Sequence, residues 1–138
     1  MSEAQAAPAG PLEALIEELA GLEELHLVVN TGAAAVELRG KASARRGPQW
    51  LTLEMAGSPD HIHLRRSEIA AARPMASTRG NRAVRFFSAD GRALMTVYLP
   101  GTSPERSDFK PERAQALDRV LQRHPGVLGP ALSAGESS

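Results

Sequence analysis

The stretch AVRFFSADGRALMTVYLPG, residues 83–101, predicts a β-hairpin. Apolar side chains alternate along it, with Val84 and Phe86 on one face of the first strand and Met95 and Val97 on one face of the second. Between the strands, the Asp-Gly pair that ends at Gly91 is typical of a tight hairpin turn, because glycine tolerates the positive φ that such turns require. Strands joined in this way pair antiparallel, so the hairpin predicts an antiparallel sheet.

Three more stretches upstream alternate in the same way. Residues 25–40, LHLVVNTGAAAVELRG, predict a second hairpin around an Asn-Thr-Gly turn. Residues 50–55, WLTLEM, and residues 61–65, HIHLR, predict two more strands. The basic stretch between them and the hairpin, KASARRGP at residues 41–48, is interpreted as a loop.

Two amphipathic segments predict helices at the ends of the domain. Residues 11–21, PLEALIEELAG, place leucine and isoleucine at helical spacing, start at a proline and stop at a glycine. Residues 109–124, FKPERAQALDRVLQRH, repeat the pattern near the other end. Ser67 is interpreted as the N-cap of a short helix over residues 68–72.

These elements predict an α+β fold in which N-terminal and C-terminal helices pack on a large antiparallel sheet, rather than a parallel doubly wound sheet. We expect a single domain over residues 11–126. Residues 1–10 are interpreted as a disordered arm and residues 127–138 as a flexible tail, because both are rich in small and polar residues.

Composition excludes several classes of site. The 138 residues include no cysteine, which removes disulfides, thiolate zinc sites, iron–sulfur clusters and cysteine nucleophiles. Sixteen basic and sixteen acidic residues give zero net charge, so no overall field attracts nucleic acid or a membrane surface. The N-terminus lacks the apolar core of a signal peptide, and no apolar run is long enough to span a bilayer. The expectation is a cytoplasmic protein without nucleic-acid or membrane partners.

The strand HIHLR carries the most suggestive chemistry. Side chains two apart on a strand share a face, so His61, His63 and Arg65 line one surface while Ile62 and Leu64 line the other. Two imidazoles on one side, about 6–7 Å apart at Cα, can converge on one metal ion, but they cannot take opposite faces of one heme iron. Two surface histidines without any ligand are the competing interpretation.

The spacing His-x-His-x4-Glu, met by His61, His63 and Glu68, resembles the first metal motif of the cupins. That resemblance implies a metal-dependent enzyme with these three ligands. The second cupin motif is absent, and Glu68 lies where a helix is expected to begin.

A broader resemblance is to the heme iron utilisation proteins, the HutX/ChuX group, which is related to the halves of the HemS/ChuS proteins. Three matches in the same order along the chain carry it, over roughly residues 12–123: a helix and first hairpin ending near residue 40, a His-Leu-Arg followed by Ile-Ala, and a Phe-Phe strand end, turn and Val-Tyr-Leu strand end. The matching residues are Phe86, Phe87, Asp90, Gly91, Val97, Tyr98 and Leu99, and His63, Leu64, Arg65, Ile69 and Ala70.

The resemblance implies heme as cofactor, a homodimer, and heme binding or trafficking in the cytoplasm. It implies His63 as candidate axial ligand of the heme iron, with His61 beside it. Further heme-contacting residues are expected to be Arg65 and Arg85 at the propionates and Phe87 and Tyr98 at the porphyrin walls.

Carriers and degrading enzymes both occur among these relatives, so the activity stays open, and we expect binding rather than catalysis. Trp50 is a departure, since it stands where a relative presents tyrosine, and tryptophan cannot ligate iron. A third alternative is a structural dimeric domain of the same fold that has lost its ligand.

Overall fold

Two helices and eight strands form the fold in a computed structural model that describes residues 8–133. All strand pairs are antiparallel, so the α+β prediction with a helix near each end is confirmed. In chain order the elements are α1 (Pro11–Ala20), β1 (Leu25–Asn30), β2 (Ala35–Gly40), β3 (Ala42–Arg46), β4 (Trp50–Met55), β5 (His61–Arg65), a short 3-10 helix (Arg66–Glu68), β6 (Ala71–Ala76), β7 (Arg82–Phe87), β8 (Ala93–Leu99) and α2 (Pro111–Gln122).

The strands form two separate sheets, which are linked by a very short connection between β2 and β3. A five-stranded sheet has the order β2-β1-β8-β7-β6, and a three-stranded sheet has the order β3-β4-β5. Only Lys41 separates β2 from β3, so the chain passes directly from one sheet into the other. Gly40 lies at this corner with φ of 134°, a backbone conformation that a side chain would disfavour.

One hydrophobic core joins both sheets and both helices. It includes Leu15 from α1, Leu53 from β4, Phe86 from β7 and Leu117 from α2, each at most 1% exposed. Because strand side chains alternate, the residues between these core positions point away from the core. The outward positions of β5 are exposed, whereas those of β7 and β8 are partly or fully covered by neighbouring side chains. Within residues 8–133, neither helix is long and apolar enough to cross a membrane.

Two local predictions were wrong. The basic stretch predicted as a loop forms β3, whose Ala42 and Ala44 pack against the core while Ser43 and Arg45 stay exposed. Residues 68–72, predicted as a helix that Ser67 caps, instead end the 3-10 helix and enter β6. In both cases alanine contributed too little hydrophobicity to mark the buried face of a strand.

The chain after α2 returns to the five-stranded sheet. Residues 128–132 run beside β6: the amide of Gly129 donates to the Ala72 carbonyl at 2.8 Å, and that of Leu132 donates to the Pro74 carbonyl at 2.8 Å. Pro74 cannot donate a backbone hydrogen bond, which suits the outer strand of a sheet. This segment lies within the expected tail, residues 127–138, while residues 134–138 and most of the expected arm, residues 1–7, lie outside the described residues. The domain limits therefore stay predictions.

Candidate functional site

The outward face of β5 presents both histidines together. Ile62 and Leu64 are buried, whereas His61, His63 and Arg65 are exposed, as the alternation predicted. The centroids of the two imidazole rings are 4.6 Å apart, with the rings inclined at 66°. Both rings therefore face the same side of the three-stranded sheet.

Each imidazole is held through its Nδ1 atom. His63 Nδ1 lies 2.8 Å from the hydroxyl oxygen of Thr52, its partner on β4. His61 Nδ1 lies 2.8 Å from the Pro59 carbonyl, so that nitrogen donates and its Nε2 carries the lone pair. Within the described part of the chain, neither Nε2 has a hydrogen-bond partner. A histidine anchored at Nδ1 with Nε2 facing outward is the arrangement that metal-ligating histidines adopt.

An aromatic surface and a cation border His63. The Trp50 ring centroid is 6.0 Å from that of His63, and 38% of Trp50 is exposed, an unusual fraction for so large a side chain. Arg65 is the strand partner of Trp50, and its guanidinium carbon lies 4.4 Å from the indole centroid. We call Trp50, Thr52, His61, His63 and Arg65 the β4–β5 surface. It combines an imidazole ligand, an apolar wall and a positive charge.

The other predicted site residues belong to the five-stranded sheet. Arg85 Nε donates to the hydroxyl of Thr96 at 2.7 Å. Phe87 and Tyr98 are half-buried and pack against a small hydrophobic cluster that is separate from the main core. The structure thus brings His61, His63 and Arg65 together on one sheet, and places Arg85, Phe87 and Tyr98 on the other.

His26 is a potentially functional residue that the sequence did not single out. It pairs with Tyr98 in the register of β1 with β8, and the two ring centroids are 5.5 Å apart. Its Nε2 lies 2.6 Å from a carboxylate oxygen of Glu37. The pairing of β1 with β8 spans most of the chain, so nothing local to His26 could have predicted these neighbours.

The three residues of the cupin-like motif do not converge. Glu68 lies in the 3-10 helix, and its carboxylate accepts a hydrogen bond from Arg92 at 3.3 Å. Across residues 8–133, no group of three or more histidine and acidic side chains is arranged to hold a metal ion. The carboxylate opposite His61, that of Glu54, lies 3.3 Å from Arg45, and among the described residues no third side chain joins His61 and His63 to hold a metal ion.

Comparison with known proteins gives a consistent result. The model of the family described as haem utilisation ChuX/HutX matches residues 5–116. A crystal structure of ChuX is 14% identical, with a TM-score of 0.64 over 85% of this chain and 74% of that one. A structure of the heme binding protein ChuX has the same TM-score and coverage at 16% identity.

A protein from Agrobacterium tumefaciens is also similar, with 20% identity and a TM-score of 0.67 over 86% of this chain and 69% of that one. No curated protein matched the sequence significantly. At these identities the solved structures establish a shared fold, and the family model establishes the relationship.

Proposed function

The chain belongs to the haem utilisation ChuX/HutX family, and from that premise we propose that it binds heme and passes it on in the cytoplasm during heme iron utilisation. The relative solved as the heme binding protein ChuX supports this proposal, as does the shared fold. We propose binding and transfer only, and assign no catalytic step to the protein.

The observation that carries the proposal is the orientation of His63. Its Nδ1 contact with Thr52 leaves Nε2 directed away from the sheet, where an iron could be coordinated. Trp50 would lie against the porphyrin, and Arg65 would meet a propionate. Bound heme would supply an iron centre, and these side chains would orient it.

His61 has a secondary place in this proposal. Its ring lies on the same side of the sheet as that of His63, so the two cannot occupy opposite axial positions of one iron. Its Pro59 contact also leaves Nε2 unprotonated, which makes His61 a substitute ligand when His63 is removed.

Arg85, Phe87 and Tyr98 define an alternative heme-contacting surface on the five-stranded sheet. Tyr98 would be the iron ligand there, with Arg85 as the propionate partner. We favour the β4–β5 surface because His63 is exposed, whereas Phe87 and Tyr98 are partly covered by neighbouring side chains. We also propose that the protein is a homodimer, as the resemblance to its family implies.

Titration of the purified protein with hemin tests the proposal through the Soret band. We expect a band distinct from that of free hemin, which shifts and weakens in His63→Ala. Thr52→Val should lower hemin affinity about tenfold, because loss of an outer-shell hydrogen bond typically costs 10–100-fold in metal affinity.

Matched variants separate the two surfaces. His61→Gln changes the neighbouring imidazole and should leave the Soret band in place, and Tyr98→Phe should bind hemin as the unmodified protein does. If Tyr98→Phe loses the band and His63→Ala keeps it, the five-stranded sheet holds heme instead. A spectrum of free hemin alone would show that the fold has been kept without its ligand.

A further inference from the structure

The imidazole rings of His61 and His63, which we call the β5 histidine pair, are spaced like two ligands of one metal ion. Their centroids are 4.6 Å apart and their planes are inclined at 66°. A bond of about 2.0 Å from an imidazole nitrogen to a metal ion places the ring centroid about 3.2 Å from that ion. Two rings bound at a right angle would have centroids about 4.5 Å apart, and a tetrahedral angle would separate them by about 5.2 Å. The observed separation therefore matches two adjacent corners of a tetragonal site.

Both rings of the pair are anchored through the same atom. Nδ1 of His63 lies 2.8 Å from the Thr52 hydroxyl oxygen, and Nδ1 of His61 lies 2.8 Å from the Pro59 carbonyl oxygen. Hydrogen bonds at this nitrogen fix the orientation of a histidine ring whose other nitrogen binds a metal. Neither Nε2 atom has to leave a partner within residues 8–133 before it coordinates an ion.

The other two of the four histidines in the chain have occupied Nε2 atoms. Nε2 of His26 lies 2.6 Å from a carboxylate oxygen of Glu37, and Nε2 of His124 lies 2.5 Å from one of Glu18. The β5 histidine pair therefore holds the two imidazole nitrogens of the described chain that are ready to bind an ion.

The donor atoms of the pair select the kind of ion. Glu54, the strand partner of His61, has its carboxylate 3.3 Å from Arg45, so two imidazole nitrogens and water form the donor set. Mg²⁺ and Ca²⁺ require oxygen ligands from the protein, whereas imidazole suits the later first-row ions. Among these, Cu²⁺ binds nitrogen sites most tightly and prefers a tetragonal arrangement of nitrogen and oxygen donors.

From this spacing and donor set we propose that the β5 histidine pair binds one Cu²⁺ ion. The two Nε2 atoms would occupy adjacent positions around the ion, and water would fill the remaining ones. This site goes beyond heme binding, because it needs no porphyrin and uses His61 as a full ligand. It shares His63 with the proposed heme site, so Cu²⁺ and heme would exclude each other.

Titration of the heme-free protein with Cu²⁺, in a non-coordinating buffer and without a histidine tag, tests the proposal. Trp50 is the only tryptophan in the chain, and its ring centroid lies 6.0 Å from that of His63. Because Cu²⁺ quenches indole fluorescence at short range, we expect Trp50 emission to fall until one ion is bound per chain. The electron paramagnetic resonance spectrum of the bound ion should show hyperfine coupling to two nitrogens. An excess of Mg²⁺ should leave the emission unchanged.

Histidine variants identify the ligands. His61→Gln and His63→Gln should each weaken Cu²⁺ binding by about tenfold or more, since loss of a direct ligand costs at least as much as loss of an outer-shell partner. Each variant should also reduce the coupling to one nitrogen. His26→Gln is the matched control and should bind Cu²⁺ as the unmodified protein does. Unquenched Trp50 emission, unchanged affinity in both variants of the pair, or an equal loss in His26→Gln would overturn the proposal. No titration contains hemin, so the outcome is independent of the Soret experiment.

Discussion

Arg66 connects three separate parts of the chain through a guanidinium that is almost fully buried. It donates to both carboxylate oxygens of Glu13 on α1, at 2.6 and 2.9 Å, and to the carbonyl of Gly47 at 2.8 Å. The same carboxylate accepts from the backbone amide of Gly10 at 3.0 Å. These bonds lower the pKa of Glu13 below its usual value, with the Arg66 hydrogen bond as the largest cause and burial opposing it.

The lowered pKa of Glu13 predicts an acid-sensitive contribution to stability. A carboxyl whose pKa is lower in the folded state stabilises the protein above its unfolded pKa, near 4.5, and this contribution disappears as pH falls through the lower folded value. Glu13→Gln should therefore cost about 1–3 kcal/mol at pH 7. Its difference from the unmodified protein should shrink progressively below pH 4.5.

Urea denaturation at a series of pH values measures this difference. Glu112→Gln is the matched control, because Glu112 is an exposed residue in the first turn of the other helix. That control should unfold at the same urea concentration as the unmodified protein. A Glu13→Gln deficit that stays constant down to pH 2 would contradict the assignment.

Single residues also show which contacts the local sequence pattern can predict and which it cannot. The shared face of His61, His63 and Arg65 was predictable, because a strand alternates with a period of two. The contact between Arg66 and Glu13 was not, since 53 positions separate the two residues in the chain. His26 escaped prediction for the same reason, because its neighbour Tyr98 lies far away in sequence.

At the scale of elements, local pattern predicted the strands whose buried positions carry large aliphatic or aromatic side chains. These are β1, β4, β5, β7 and β8. The Asn-Thr-Gly turn after β1 also predicted its hairpin partner β2, although Val36 on that strand is exposed. Local pattern missed β3 and β6, whose inward positions are mainly alanine and whose outward positions include arginine. Pairing with β4 and β7, respectively, makes these two segments strands, and that pairing depends on tertiary structure.

The segment after α2 contributes to stability through Leu132. This side chain is 8% exposed and packs with Met75 and Ala83, with Phe87 and Tyr98 at the edge of the cluster. Truncating a buried leucine leaves a cavity, although a small cluster near the surface collapses more easily than a large core. Leu132→Ala should therefore cost about 2 kcal/mol of unfolding free energy, near the lower end for such changes.

Chemical denaturation measures that cost, and a second aliphatic substitution controls for it. Ala89→Ser alters an exposed side chain in the turn between β7 and β8 and should change stability by less than about 0.5 kcal/mol. Hydrogen exchange gives independent information. Leu132→Ala should speed the exchange of the backbone amides of residues 129 and 132, which donate hydrogen bonds to carbonyls of β6. Equal stabilities of Leu132→Ala and the unmodified protein would show that the segment is not anchored by this contact.

At the scale of the whole molecule, the fold class and family relationship were predictable because short motifs occurred in matching order. The distribution of the predicted site residues over two different sheets was not predictable from the sequence. His63 and Tyr98 belong to motifs that are both present in the sequence, yet β5 and β8 enter different sheets. Assignment of strands to sheets depends on where the chain turns at Gly40, and the residues that follow this turn were predicted as a loop rather than as the first strand of the second sheet.

The exposed position of the β4–β5 surface bears on the homodimer that we propose. A heme resting on this sheet face contacts protein on one side only, whereas small-molecule sites usually bury 70–90% or more of their ligand. A second copy of the chain would cover the open side. Two chains could pair through the outer edge of the five-stranded sheet. The edge strand β2 has no neighbouring strand beyond it among the described residues, and it carries the exposed Val36.

Sedimentation velocity of the unmodified protein should therefore give the mass of two chains, with and without hemin. Val36→Lys places a charge on the β2 edge and should shift the protein toward single chains, because lysine on an edge strand opposes pairing with another edge. Hemin titration of this variant should then show weaker binding with an unchanged ligand spectrum, since His63 remains while the cover is lost. Sedimentation of the unmodified protein as one chain at every concentration would contradict the dimer. If Val36→Lys dimerises with the same affinity as the unmodified protein, the interface does not include the β2 edge.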